Sequence, residues 1–263
     1  MIRIKDVIHA IDSFAPFSWS CDWDNSGLQA GSPEWEVTRI GVALDATEKA
    51  IDEAIRKSCS CLIVHHPLLF DPLRSIQTQT PTGGKLLRAM ANRLAVVAVH
   101  TNWDVSPAGV NVILGECLGL LEPSPLEVGA EGAWGIGVAG FFPEVLSTEG
   151  FRNRLKGNLG LSWIRDYALP EMVSRVAVVG GSGGDLWPLA LDDGADVFVT
   201  ADMKYHQVME AVESGIGIVL ADHGEIERNS VPVLKELLSK NIPVEVLLVD
   251  EKGFDPGNIM ILK

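Results

Sequence analysis

Two adjacent histidines follow a short apolar run, and this junction constrains the fold more than any other feature of the sequence. Residues 61–64 are apolar or nearly so, His65 and His66 come next, and Pro67 follows them directly. Such a run is typical of a strand that is buried on both faces of a parallel sheet. Pro67 cannot donate a hydrogen bond to a sheet ladder, so the strand is expected to end there. Both imidazoles then lie at a strand's carboxyl end, where open α/β sheets bind their ligands.

Two further apolar runs lead to histidines, and the pattern around them repeats. Residues 94–99 precede His100, and residues 216–221 precede Asp222 and His223. Each half of the chain alternates apolar strands with amphipathic helices, which predicts parallel sheets with right-handed crossovers. The sequence therefore predicts an α/β fold of two interlinked, partly similar α/β domains with mostly parallel sheets. Their polar strand ends are expected to converge on a metal site.

A proline-rich segment in mid-chain suggests where the two domains divide. Residues 122–125 read Glu-Pro-Ser-Pro, a composition typical of a turn or linker. We therefore predict a first domain over residues 1–122 and a second over residues 123–263. Residues 222–263 form a segment that can pack back onto the first domain, through the last strand near residues 244–249.

Composition and charge restrict the classes of partner. The 263-residue chain is 47% hydrophobic and 21% charged, which is typical of a globular protein, and its net charge is −14. No basic stripe is evident, so the sequence disfavours nucleic acid as a partner. The first residues lack the apolar core of a signal peptide, and no apolar run is long enough to span a membrane. We expect a cytoplasmic protein. Its four cysteines contain no Cys-x2-Cys pair, which favours buried, inert thiols.

The polar strand ends carry residue types that bind divalent metals. Neutral imidazole and carboxylate groups are suitable ligands for Zn, Mn, Fe or Ni. Adjacent residues of a strand point to opposite faces, so His65 and His66 would serve two different ions, and carboxylates could bridge these ions. A pair of ions would carry surplus positive charge for a hydroxide or a small anionic substrate. The metal-binding set is His65, His66, His100, Asp104, His223 and Glu227, with Asp104 and Glu227 as the bridging residues.

Other residues are placed around this set by their position in the sequence. The polar loop at residues 23–31 contains Asn25 and could line a pocket or simply connect two elements. Asp202 and Lys204 lie close enough in sequence to support metal ligands, and His206 is a weaker member of the same group. The run Gly180–Gly184 follows a strand and could cradle a phosphate or form a tight turn, an alternative that stays open here.

The sequence resembles the NIF-three-like dinuclear metal proteins, often named as GTP cyclohydrolase I type 2 homologues. The resemblance rests on seven segments that occur in family order over nearly the whole chain. They are residues 23–28 (WDNSGL), 44–47 (LDAT), 65–70 (HHPLLF), 100–104 (HTNWD), 180–183 (GGSG), 199–206 (VTADMKYH) and 223–227 (HGEIE).

The resemblance carries several expectations. It implies two divalent ions held by His65, His66, Asp104, His223 and Glu227, with His100 beside them, and a homo-oligomer in the form of a hexameric ring. It also implies that some relatives carry an inserted domain in mid-chain, for which residues 121–131 are too short here. Two positions depart from the family pattern, because Ala201 and Asp222 stand where the family commonly has glycine.

Two functions remain open from the sequence. One is a metal-dependent hydrolase acting on a nucleotide or another phosphate-containing small molecule, in which His100 or Glu225 moves protons. The alternative is a non-catalytic, metal-binding regulatory or metal-delivery protein that acts through partners. A purely structural metal site is disfavoured, because such sites are usually closed and rich in cysteine.

Overall fold

The computed structural model describes residues 1–250 of the chain. Within this range the helices are α1 Ile4–Asp12, α2 Glu48–Arg56, α3 Pro81–Ala91, α4 Thr101–Asp104, α5 Val110–Leu118, α6 Thr148–Leu159, α7 Trp187–Asp192, α8 Tyr205–Glu213, α9 His223–Arg228 and α10 Val231–Asn241. The strands are β1 Gly27–Ala30, β2 Arg39–Ala43, β3 Cys61–Val64, β4 Ala95–Ala98, β5 Leu121–Ser124, β6 Glu127–Val128, β7 Gly135–Ile136, β8 Val138–Ser147, β9 Ile164–Tyr167, β10 Met172–Val178, β11 Val197–Thr200, β12 Gly217–Ala221 and β13 Glu245–Leu248.

The described residues group into two compact units. The first unit contains residues 1–103 and the described residues from Ser230 onward. The second contains residues 104–229. The segment in which the sequence suggested a domain boundary forms strand β5 at the edge of a sheet. Residues 251–263, which belong to the predicted returning segment, lie outside the described residues.

The sheet of the first unit has the order β1-β4-β3-β2-β13. Strands β13, β2, β3 and β4 run parallel, and β1 pairs antiparallel with β4 at the edge. The paired residues Val64 and Ala98 end β3 and β4 at the same level. Because these two strands end side by side, the residues that follow them, His65 and His100, are held close together.

The sheet of the second unit has the order β5-β8-β10-β11-β12-β9. Its central strands β10, β11 and β12 are parallel, and antiparallel strands flank them on both sides. The strands β6 and β7 form a separate two-stranded pair. Polar segments again follow the parallel strands at their carboxyl ends, namely the glycine-rich turn after β10, Asp202 after β11 and His223 after β12.

Each unit encloses an apolar core between its sheet and its helices. In the first, Ile51 and Ala54 of α2 pack in one cluster with Leu62 and Val64 of β3. Helix α2 begins after Thr47 because the Thr47 side chain accepts a hydrogen bond from the Ala50 backbone nitrogen. In the second, Phe198 of β11 is fully buried among residues of neighbouring strands and helices.

The predicted α/β fold with mostly parallel sheets is confirmed, and the parallel strands carry the buried continuous apolar runs from which they were predicted. Strand β1 was not predicted, since its residues lie within the polar loop at 23–31. Among the described residues, none of the helices combines the length and the apolar character needed to cross a membrane.

Candidate metal centre

Three imidazoles meet at the ends of β3 and β4 in the first unit. His65, His66 and His100 each offer a ring nitrogen, and these nitrogens lie within 4.8 Å of one another. The ring centroids are separated by 4.8 Å for His65 and His66, 5.2 Å for His65 and His100, and 5.8 Å for His66 and His100. This spacing allows three nitrogen donors to surround a single point.

The Nδ1 atom of each of these histidines is bound to an oxygen. Nδ1 of His65 donates to the carbonyl of Val99 at 3.0 Å, and Nδ1 of His66 lies 2.7 Å from Oδ1 of Asp45. Because a carbonyl or carboxylate oxygen can only accept, the proton sits on Nδ1 and the lone pair of the neutral ring sits on Nε2. Metal-binding histidines in proteins are usually oriented by a partner of this kind.

His100 is held by a buried carboxylate. Its Nδ1 lies 2.7 Å from Oδ1 of Asp24, whose side chain is fully buried. Burial acts to raise the pKa of Asp24, but hydrogen bonds from His100, Thr101 and Ser26 outweigh it and bring that pKa well below its usual range. Asp24 is therefore ionised at neutral pH, and its negative charge can stabilise a protonated His100.

In the second unit, His223 and Glu227 occupy one face of α9. Asp222 is the residue before this helix, and its carboxylate accepts a hydrogen bond from the backbone nitrogen of Glu225. The four-residue spacing on the helix brings Nε2 of His223 within 3.3 Å of Oε2 of Glu227. The acidic residue that departs from the family pattern, Asp222, thus starts the helix that presents both groups.

Asp202 orients His223 in the way that Asp24 orients His100. Its Oδ2 atom lies 2.6 Å from Nδ1 of His223 and accepts a second hydrogen bond from the Ser182 hydroxyl at 2.8 Å. Partial burial acts to raise the pKa of Asp202, yet the hydrogen bond from His223 and the one from Ser182 leave it below its usual value.

A glycine turn closes tightly on the carboxylate of Glu227. Gly181 has a φ of +68°, and a Cβ atom built there would lie 2.2 Å from Oε1 of Glu227 and 3.2 Å from Nε2 of His223. Only glycine allows this approach without moving the carboxylate. The carbonyl of Gly181 accepts hydrogen bonds from the Ala201 nitrogen and the Thr200 hydroxyl, so the run 180–184 forms a tight turn that is fixed to the end of β11.

Asp104 is tied to the same turn through its backbone. It ends the short helix α4, and its carbonyl accepts a hydrogen bond from Nδ2 of Asn111 at 3.0 Å. Oδ1 of Asn111 in turn accepts from the backbone nitrogen of Gly180 at 3.2 Å. One asparagine therefore links the segment that carries Asp104 to the turn that faces Glu227.

Other residues predicted for the site have specific positions. Glu225 is buried, and its Oε2 accepts hydrogen bonds from the backbone nitrogen and hydroxyl of Ser162 at 2.7 and 3.0 Å. Asn25 donates from Nδ2 to the carbonyl of Leu69 at 2.6 Å. Lys204 and His206 are both exposed at the start of α8, where the His206 ring contacts Tyr205 with 5.5 Å between ring centroids.

The donor chemistry of both units is suited to a divalent metal. Imidazole nitrogens lie in the first unit, and an imidazole with a carboxylate lies in the second. The sequence did not identify the two acids that orient histidines in the first unit. Asp45 lies two residues after the end of β2, which could have indicated a role at the same sheet edge, and Asp24 could have been found from its polar turn.

Comparison with known proteins finds similar sequences over almost the whole chain. A family model described as Duf34/NIF3 (NGG1p interacting factor 3) matches residues 2–253. A protein from Clostridium perfringens named GTP cyclohydrolase 1 type 2 homolog is 32% identical, over 97% of this chain and 98% of that protein.

Solved structures with similar folds cover almost the whole chain. The crystal structure of a Staphylococcus aureus protein has a TM-score of 0.90 and 27% identity, and the match covers 98% of this chain and 99% of that one. Reduced HcgD from Methanocaldococcus jannaschii has a TM-score of 0.81 and 30% identity, over 95% of this chain and 98% of that one.

Proposed function

This chain belongs to the Duf34/NIF3 family, and we propose that it binds two divalent metal ions and uses them to hydrolyse a small phosphate-containing molecule. The relative from Clostridium perfringens is named as a GTP cyclohydrolase 1 type 2 homolog, and a nucleotide belongs to this substrate class. The site geometry of each unit supports metal binding, and the proposed reaction follows from that chemistry.

The observation that carries the proposal is shared by four histidines. His65, His66, His100 and His223 all have Nδ1 bound to a carbonyl or carboxylate oxygen. A structural histidine can make one such bond by chance, but four at the ends of parallel strands indicate rings held in one tautomer. Nε2 is then the ligand atom of His65, His66 and His223 and the proton acceptor of His100.

We propose that the ligands are the five residues that the family resemblance implies. The structure supports them separately, as His65 and His66 in the first unit and as His223 with Glu227 in the second. Asp104 is the fifth ligand of the proposal. Zn, Mn, Fe and Ni all suit mixed imidazole and carboxylate ligands. When bound, such ions would supply Lewis-acid polarisation of a phosphoryl or carbonyl oxygen.

The protein's own contribution to the reaction is proton transfer by His100. Its Nε2 can accept a proton, because the Asp24 carboxylate on the other side of the ring stabilises the imidazolium that forms. Only 13% of the His100 side chain is exposed, which keeps bulk water away from this exchange. Glu225 was the second residue predicted to move protons. Its carboxylate binds Ser162, and we assign it the positioning of that segment.

Turnover by the metal-loaded protein tests this function. Protein loaded with Mn, Zn or Fe would be assayed against nucleotides and phosphoesters, beside His100→Gln and Asp24→Asn. We expect turnover that requires metal and falls by about 100-fold in His100→Gln, within the range of general acid–base catalysis. Complete inertness of the loaded protein on this panel would contradict the hydrolase proposal.

Metal exchange distinguishes the alternative of a regulatory or delivery protein. The His223 side chain is 36% exposed, so an ion bound there would be open to transfer. Rapid loss of metal to a chelator, together with co-purifying partners and no turnover, would favour delivery. Tightly held metal with turnover would favour the hydrolase.

We also propose, from the family resemblance, that the protein works as a homohexameric ring in the cytoplasm. A single species of about six times the chain mass in light scattering would support this assembly, and a stable monomer would contradict it.

A further inference from the structure

A large apolar cleft in the first unit is lined by two aromatic residues that contact His100. Its volume is about 760 Å³, within the range of small-molecule sites. Leu86 and Ala30 are buried at its base, and Met90, Ile76 and Leu73 lie along it with 44%, 56% and 43% of their surfaces exposed. So much exposed apolar surface in one concave region is unusual unless it binds something.

Two aromatic rings connect the cleft to the histidines. Trp23 and Phe70 line the cleft, with ring centroids 6.0 Å apart, and remain 63% and 56% exposed. Both rings meet His100 edge-on, each with 6.1 Å between centroids. Whatever lies against Trp23 and Phe70 is therefore held next to the residue proposed to transfer the proton.

A network of amides makes this wall rigid. The Gln29 side chain accepts a hydrogen bond from the Leu69 nitrogen at 3.1 Å and donates to the carbonyl of Asn25 at 2.5 Å. Asn25 donates to the carbonyl of Leu69. These bonds join the segments that carry Trp23 and Phe70, so the aromatic wall is largely preformed and little ordering is needed on binding.

We propose that this cleft binds a planar heteroaromatic ring of the substrate, which places the substrate's polar end at the histidines. The flat faces of Trp23 and Phe70 favour a ring by stacking, and the apolar base and rim exclude water from it. This inference rests on the proposed function and specifies its substrate as a nucleotide-like molecule. It assigns recognition of the ring to Trp23, Phe70 and Met90.

Equilibrium binding of nucleosides tests the cleft separately from the metal. Guanosine and adenosine would be titrated into the full chain by calorimetry, with ribose 5-phosphate as a ligand that lacks the ring. We expect at least one nucleoside to bind, and its affinity to fall about tenfold in Trp23→Ala and to recover in Trp23→Phe. Met90→Ala should weaken binding, whereas Met172→Ala should not, since this methionine lies outside the cleft and is 53% exposed against 44% for Met90.

The two proposals can fail independently. Nucleoside binding by a wild type that holds no metal, even after reconstitution, would keep the cleft and remove the metal function. Bound metal without nucleoside binding would overturn the cleft and leave the metal function in place. A third outcome would combine no nucleoside binding with a sedimentation coefficient that differs between Trp23→Ala and the wild type. In that case a second copy of the chain covers the cleft, and the inference is wrong.

Discussion

Asp24 and His100 form a 2.7 Å hydrogen bond in which a fully buried carboxylate faces a nearly buried imidazole. The same carboxylate accepts from the hydroxyls of Thr101 and Ser26 at 2.6 and 2.7 Å. The Asp24 carboxylate therefore connects its own polar loop to the residues that follow β4. His100 depends on that carboxylate for the orientation of its ring.

Replacing the Asp24 carboxylate should make stability less dependent on pH. The pKa of Asp24 is lowered in the folded state, so its contribution to stability is present above the unfolded pKa of about 4 and is lost as the pH falls through the folded pKa. In chelator-treated protein, Asp24→Asn should lower the free energy of unfolding by about 1–3 kcal/mol at pH 7. The difference should narrow below about pH 4.

Urea unfolding at pH 7, 5 and 3 measures this effect. Asp22→Asn, an exposed acid two residues away, serves as the control and should change little at any pH. An equal effect of the two substitutions would show that the Asp24 hydrogen bonds add nothing to stability.

Gly181 should be essential for metal binding because of its contact with Glu227. A methyl group at this position would displace the carboxylate, so Gly181→Ala should reduce the bound metal by more than half at a fixed metal concentration. Gly160 has the same φ of +68°, and a Cβ there would meet nothing within 4 Å. Gly160→Ala therefore introduces the same backbone strain without the collision. Similar metal contents in the two variants would contradict the steric role.

Asp202 should set the affinity of His223 for metal. Removing a carboxylate that orients a ligand histidine typically costs 10–100-fold in affinity, and we expect Asp202→Ala to fall in that range. Ser182→Ala removes only the second hydrogen bond to Asp202 and should cost much less. Competition with a chromophoric chelator measures both. Equal losses of metal affinity in the two variants would indicate that the segments carrying Ser182 and Asp202 control this affinity, and not the pair formed by the Asp202 carboxylate and the His223 imidazole.

The buried cysteines Cys59 and Cys61, before and at the start of β3, should be chemically inert in the folded protein. Burial raises the pKa of the Cys61 thiol, and also that of Cys59. Alkylation at pH 8 followed by peptide mass spectrometry should find both thiols unmodified until urea unfolds the chain. Rapid labelling of Cys61 in the native protein would show that β3 opens readily.

The sequence predicted the strands around the histidines well, because buried parallel strands are continuous apolar runs with polar ends. It did not predict β1. The residues of β1 lie in a segment rich in turn formers and pair with the distant strand β4, and such pairing leaves no signal in the local sequence. The hydrogen-bond partners of His100 and His66 were missed for the same reason. Asp24 lies 76 residues from His100 and Asp45 lies 21 residues from His66.

The hydrogen-bond partner of Glu225 is a second feature that the sequence did not predict. Glu225 sits beside the predicted ligands His223 and Glu227 in sequence, which made it a plausible proton carrier. On a helix, however, neighbours two residues apart point in different directions. The Glu225 carboxylate consequently binds Ser162, whereas Glu227 faces His223.

Metal content per chain tests the central claim most directly. The protein would be purified without chelator and measured by mass spectrometry of its metals, beside His66→Ala, Glu227→Ala and the control His9→Ala, which changes an exposed histidine on α1. We predict about two ions per chain in the wild type and in His9→Ala, and fewer in the other two variants. Absence of bound metal in the wild type, even after reconstitution with Zn, Mn, Fe or Ni, would contradict the account.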